Sequence, residues 1–251
     1  WLPVRDRHAL EKGLPDLRSR FPVHAAMVKA GIEGIAGPAF ERLKKMEVNH
    51  LGTTLFINHG DRFEPVPLPM EVQLAPAFSV CVGDVDADGN DDLFFSQNFF
   101  AVRPEDPRND AGTGLWLLGH GDGTFRALKP SESGVRVYGE QRGAALADFD
   151  RDGRVDLVVT QNAAATRLFR NQAETKGVRV SFGGEGEGVQ ARLVYADGTK
   201  GPVRVVQSIT QVLGAAKVAV AVEAAWPSAR KTRVPLKPGQ TEVVLTYPSE
   251  P

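Results

Sequence analysis

The chain of 251 residues is long enough for one large domain or two modest ones with their own cores. It is 42% hydrophobic and 24% charged, ordinary for a soluble globular protein, and its formal net charge of -1 gives no electrostatic case for nucleic acid or an anionic membrane. No apolar run is long enough to span a bilayer, and a single cysteine, Cys81, excludes an intrachain disulfide.

The first fifty residues read as a helical segment. Pro22 suits the first position of a helix. Val23, Ala26, Met27 and Ala30 follow at i, i+3, i+4 and i+7, one apolar stripe. Gly31, Gly34 and Gly37 weaken what comes next, and a second helix is expected from Pro38 through Phe40, Leu43 and Met46. The stripe is read as a packing face. The chain begins at Trp1 rather than Met and shows no signal peptide, so a C-terminal fragment or a processed chain is expected.

From Leu51 to about Asn171 the pattern changes to short strands and turns, helped by 26 glycines and 17 prolines in the chain. Leu55-Phe56-Ile57-Asn58 leads into His59-Gly60-Asp61-Arg62-Phe63, and Leu115-Trp116-Leu117-Leu118 into Gly119-His120-Gly121-Asp122-Gly123-Thr124-Phe125. Each reads as a strand, a Gly/Asp turn and the start of another strand. Leu168-Phe169-Arg170-Asn171 is a third such strand.

Between these elements one acidic loop is written twice. The first copy runs from Asp84 to Asp92 and the second from Asp148 to Asp156. Each has carboxylates at positions 1, 3, 5 and 9 and glycine at position 6, and the copies start 64 residues apart, at 84 and 148. Four carboxylates packed so closely repel one another unless a cation sits among them, and alternating hard oxygens suit Ca2+. The expected ligands are the side chains of Asp84, Asp86, Asp88 and Asp92 with the carbonyl of Asn90. In the second copy they are Asp148, Asp150, Asp152 and Asp156 with the carbonyl of Arg154. An Asp-rich turn held by its own hydrogen bonds is the rival reading. An EF-hand is excluded, because position 12 is Phe95 or Val159 rather than a bidentate Glu. The flanks, Val80-Cys81-Val82 and Leu93-Phe94-Phe95 in one copy, Ala144 to Ala147 and Leu157 to Thr160 in the other, read as strands. Asp91 adds negative charge beside the first loop, and Arg151 and Arg154 add positive charge beside the second. The first is therefore expected to bind more tightly.

The repeating unit is strand, acidic loop, strand, connector, strand, Gly-Asp turn, strand, the content of one propeller blade. The acidic loops and the Gly-Asp-Gly-x-Phe turn resemble FG-GAP/VCBS repeats, the calcium-bearing blades of integrin-α-like β-propellers. The resemblance covers residues 51–172, with two recognisable blades and pieces of others. It implies a closed ring of which the remainder is missing or supplied elsewhere.

After Asn171 the repeat stops. Strands are expected at Val178 to Phe182, Gln190 to Tyr195, Val203 to Val206, Lys217 to Val222, Thr232 to Leu236 and Thr241 to Tyr247, with a hairpin at Ala196-Asp197-Gly198-Thr199. Residues 173–251 thus form a small all-β, sandwich-like unit. It resembles the ASPIC/UnbV domain that follows such propellers in the cartilage acidic protein family. The matching residues are Gly177-Val178-Arg179-Val180, Ala191-Arg192-Leu193-Val194-Tyr195, Val212-Leu213-Gly214 and Trp226-Pro227-Ser228. Ala229 stands where that family has glycine, and Ser208-Ile209-Thr210-Gln211 keeps only part of another element. The expected fold class is mainly β: propeller blades with calcium loops, a sandwich-like domain, and a short N-terminal helical segment.

Catalytic chemistry is hard to find. Gly186-Glu187-Gly188-Val189-Gln190-Ala191 superficially fits a dinucleotide fingerprint, but a strand follows where a helix is required. His8, His24, His50, His59 and His120 lack metal-ligand spacing. Cys81 reads as a buried, unreactive thiol, and Trp116 and Trp226 as core. Gln97-Asn98 and Gln161-Asn162 recur at one offset after the loops and read as polar strand ends, able to line a binding face if that edge is open. The reading is a calcium-stabilised, non-catalytic, extracytoplasmic binding or adhesion module for a protein or glycan ligand, because cytosolic calcium is too low for weak sites. The alternative is an UnbV-like accessory or enzyme of a biosynthetic pathway, with its site on the propeller face.

Overall fold

The computed structural model describes residues 6–104, 106–183, 188–206 and 210–247. The chain forms two compact units, Trp1–Leu51 and Gly52–Pro251.

The first unit is helical: α1 (Arg7–Glu11), α2 (Leu17–Arg20), α3 (His24–Ala36) and a 3-10 turn (Gly37–Arg42). Asp6 caps α1 by accepting the Ala9 N–H at 2.8 Å. Leu17, Met27 and Ile35 form its core. Gly31 leaves helical geometry inside α3. Met27 of the expected stripe is buried, but Val23 lies outside the helix and is exposed. The expected helix through Met46 is corrected: the 3-10 turn stops at Arg42, and Met46 is 83% exposed. Without a buried face to repay it, a second helix has no tertiary support.

The second unit opens with the hairpin β1 (Thr54–Asn58) and β2 (Phe63–Pro67), then a single turn, α4 (Met70–Gln73). The strands β3 (Ala77–Gly83), β4 (Asp92–Gln97), β5 (Leu115–Gly119) and β6 (Phe125–Ala127) make a four-stranded antiparallel sheet in chain order. After the turn α5 (Pro130–Ser133) comes a three-stranded sheet, β7 (Gln141–Ala147), β8 (Asp156–Gln161) and β9 (Ala164–Phe169). Each acidic loop joins the first two strands of its sheet, β3 to β4 and β7 to β8, as its flanks require.

The central strands of the four-stranded sheet, β4 and β5, are buried on both faces. Leu93, Phe95, Leu115 and Leu117 pack with Leu68 and Val72 on one side. Phe94 and Trp116 pack with Leu157, Val159, Val135 and Val137 on the other, so the second sheet lies against the first. The Phe94 and Trp116 rings sit 5.2 Å apart and tilted. Cys81 is half-buried beside this cluster, and burial pushes its thiol pKa up.

The remaining strands are β10 (Val178–Gly183), β11 (Gln190–Tyr195), β12 (Arg204–Val205), β13 (Thr210–Leu213), β14 (Ala219–Ala225), β15 (Lys231–Pro235) and β16 (Glu242–Thr246). They form two sheets, β13-β10-β16 and β12-β11-β14-β15. Val180, Phe182 and Leu245 of the first share one core with Leu193, Val222 and Trp226 of the second, a sandwich. The Trp226 indole donates to Thr232 Oγ1 at 2.8 Å, which satisfies its polar atom. The strand β13 is absent from the sequence reading, and Ser208-Ile209 beside it lie outside the described residues, as do Trp1 and Gly186-Glu187. The strand β11, not a helix, follows Gly188, which removes the dinucleotide fingerprint.

The possible binding edge is corrected at Gln97 and Asn98, both of which are buried. Asn98 accepts the Gly112 N–H at 2.8 Å and donates to the carbonyls of Gly112 at 2.8 Å and Gly139 at 3.1 Å. It therefore ties the β4 end to the connectors before β5 and β7. Phe94→Ala is expected to cost about 3–5 kcal/mol, because it empties the seam between the two sheets. Urea unfolding of the full chain measures this.

Candidate metal centre

The two acidic loops share one backbone path. Position 4 is left-handed in both, Ala87 at φ 60° and Arg151 at φ 62°, and so is position 6, Gly89 at φ 94° and Gly153 at φ 85°. Glycine carries the second of these turns at no steric cost. The aspartates hold the turn by accepting backbone N–H groups. At position 1, Asp84 takes Gly89 at 2.8 Å and Asp148 takes Gly153 at 3.1 Å. At position 3, Asp86 takes Asp88 and Asp150 takes Asp152, both at 3.2 Å. At position 5, Asp88 takes Asn90 at 2.7 Å and Asp152 takes Arg154 at 3.0 Å.

Position 9 reaches further. Asp92 accepts Val85 N–H at 2.8 Å and Gly119 N–H, at the end of β5, at 2.9 Å. Asp156 accepts Phe149 N–H at 3.1 Å and Asn171 N–H, just past β9, at 2.8 Å. These carboxylates are only 1% and 2% exposed. Each ties its loop to the third strand of its sheet.

Oxygens of Asp84, Asp86 and Asp88 lie within 4.8 Å of one another, and so do those of Asp148, Asp150 and Asp156. Asp92 stands outside the first group, its oxygens engaged as above, and Asp152 stands outside the second. Asn90 and Arg154, expected to offer carbonyls, use their side chains on position 5: Asn90 donates to Asp88 at 2.9 Å, and Arg154 pairs with Asp152 at 2.5 Å.

The loops differ in charge compensation. Asp84 is 6% exposed and its Oδ1 is buried without a hydrogen-bond partner. An ionised oxygen in that state is costly, and a hard cation satisfies it. Burial, aided by the nearby Asp92 charge and opposed by the Gly89 N–H, raises the Asp84 pKa to about 7. Burial likewise raises Asp92 to about 6, against its two N–H donors. In the second loop burial raises Asp156. Burial also acts to raise Asp152, but Arg154 and Arg170 outweigh it and hold that carboxyl below its usual range. The carboxylates of the first loop fit a divalent cation by their oxygen donor set and by the orphaned Asp84 atom.

Sequence reasoning missed the groups that reach these loops from the sandwich. Arg204 of β12 pairs with Asp91, so the extra negative charge beside the first loop is spoken for. Gly214 lies so close that a Cβ there would overlap Asp84 Oδ2. Arg179 of β10 lies 3.6 Å from Asp148. Nothing local in the sequence marks these partners.

A family model described as the FG-GAP-like repeat matches residues 99–159. This stretch is similar to an FG-GAP-like repeat. It runs from the end of β4 through the second acidic loop into β8. Over 69 residues the chain is 42% identical to cartilage acidic protein 1 of Xenopus tropicalis, which is 28% of this chain and 10% of that protein. The match thus spans a small part of that relative.

The raised carboxyls set a pH dependence. The folded chain holds their protons at higher pH than the unfolded chain does. The stability they contribute is therefore complete below about pH 4 and lost as pH rises through about 6 to 7. In chelator, the melting temperature is expected to fall from pH 5 to pH 8, and Asp84→Asn to flatten that fall. Calorimetry across the range checks both.

Proposed function

We propose that the chain is a calcium-stabilised, extracytoplasmic binding module of adhesion type, acting on a protein or glycan ligand without catalysis. The orphaned, buried oxygen of Asp84 within a cluster of aspartates is the observation that carries the calcium reading. Bound calcium supplies a hard positive charge that neutralises carboxylates the fold has already gathered. Asp84, Asp86 and Asp88 hold the ion, Asn90 lends its carbonyl, and Asp92 anchors the loop. The fixed loop then orients β3 and β4, and with them the connector surfaces of the sheet.

The FG-GAP-like repeat supports an integrin-like binding role, and similarity to a protein named for cartilage supports an extracellular setting. Among the described residues no helix is long and apolar enough to cross a membrane. On this reading residues 51–172 are blades of a β-propeller and residues 173–251 an ASPIC/UnbV-like domain, with residues 1–50 a helical segment. The sandwich around Trp226 is consistent with the second assignment. The titratable groups with raised pKa values in the loops serve as ligands and anchors rather than as acid and base.

Calcium at a hundredfold excess over its Kd should stabilise the fold by about 2.7 kcal/mol, which raises the melting temperature by about 5–10 °C for a unit of this size. Asp86→Ala should remove most of that gain. Thermal melts with calcium, magnesium and chelator test the idea, and an unchanged melting temperature on chelation would sink it.

A further inference from the structure

We infer that arginines close the second acidic loop in place of a metal ion, so that the chain takes one divalent cation, at the first loop. The inference rests on the reading of the first loop as a cation seat.

Three guanidinium groups converge on the second loop. Arg154 Nη1 meets Asp152 Oδ2 at 2.5 Å. Arg170, just past β9, meets Asp150 Oδ2 at 2.5 Å and Asp152 Oδ2 at 3.4 Å. Arg179 of β10 approaches Asp148 Oδ2 at 3.6 Å. Two of them are held in place from behind. Arg154 donates Nε to the Ala173 carbonyl at 2.5 Å, and Arg179 reaches Glu242 at 3.3 Å with its Nη1. Asp148 Oδ1, the counterpart of the orphaned Asp84 atom, accepts the Asp152 N–H at 2.9 Å.

Charge then decides between the loops. Asp148, Asp150, Asp152 and Asp156 carry four carboxylates against Arg154, Arg170 and an Arg179 shared with Glu242. In the first loop Asp84, Asp86, Asp88 and Asp92 have no ion-pair partner among the described residues, and Arg204 is taken by Asp91. With fewer cations paired to its carboxylates, the first loop attracts a divalent cation more strongly. Entry at the second would also displace guanidinium groups from partly buried pairs, leaving charges unmatched. The close spacing of Asp148, Asp150 and Asp156 alone suits an ion; the arginines are what excludes it.

The consequence is a division of labour. The Gly177 N–H donates to the Gly153 carbonyl at 2.9 Å. With Arg179 reaching Asp148, this holds β10 of the sandwich to the second sheet without calcium. The contacts of Arg204 and Gly214 with the first loop sit instead beside the ion.

Equilibrium dialysis of calcium against the full chain at pH 7.5 tests this. One equivalent is expected for the natural sequence, none for Asp86→Asn, and two for the double variant Arg154→Gln/Arg170→Gln. Two equivalents in the natural sequence, or one retained by Asp86→Asn, overturn the inference while leaving calcium binding intact. No binding at all overturns the calcium reading itself. Because the double variant can misfold, Arg170→Gln is measured too: this side chain is 58% exposed. A second, weaker equivalent is expected there, and its absence from both variants counts against the arginines as the excluding groups.

Discussion

Two buried carboxylates, Asp92 and Asp156, constrain everything around them. Each accepts backbone N–H groups from two distant points, the second residue of its own loop and the end of the third strand of its sheet. Burying an aspartate is unfavourable unless donors converge on it. The loop, the strand order and the approach of the third strand must therefore all be right at once. The connectors differ greatly in length, yet Gly119 and Asn171 reach equivalent acceptors, Asp92 and Asp156. Antiparallel sheets of unequal size can in this way share one corner.

The remaining aspartates answer a separate problem, how to gather like charges in one turn. The chain offers two answers. In one loop the carboxylates have no ion-pair partner among the described residues, and in the other arginines from β10, the β9 end and the loop itself match them. On the proposed reading, the same nine-residue pattern serves as an ion seat in one loop and as an arginine-closed joint in the other. Identical ligand spacing therefore does not define identical chemistry; the side chains that fold back onto it do.

Much of this fold is legible from the sequence because its signals are local. The acidic loops, their strand flanks, the β1–β2 hairpin and the alternating strands of the sandwich all lie within windows of about ten residues. The missing parts depend on distance. Asn98 looks like a strand end until Gly112 and Gly139 close around it. Arg179 and Arg204 read as ordinary outward residues of strands, and only the packing of the sandwich shows which aspartates they meet. The helix expected through Met46 fails for a related reason: periodicity predicts a face, but a face forms only where something covers it.

The contact of the first loop with the sandwich also carries a temporal asymmetry. The hairpin made by β3, its loop and β4 closes over a few residues and can form as soon as it is made. Its partners Arg204 and Gly214 lie more than a hundred residues later, at positions 204 and 214 against 84 and 91. During synthesis from the N-terminus the acidic hairpin must exist uncovered until the sandwich strands that bear Arg204 and Gly214 have appeared. The second loop waits far less, since Arg154, Arg170 and Arg179 follow within about thirty residues of Asp148. The loop that completes itself quickly is the one with its cations built in, and the loop that waits is the one proposed to borrow a cation from its surroundings.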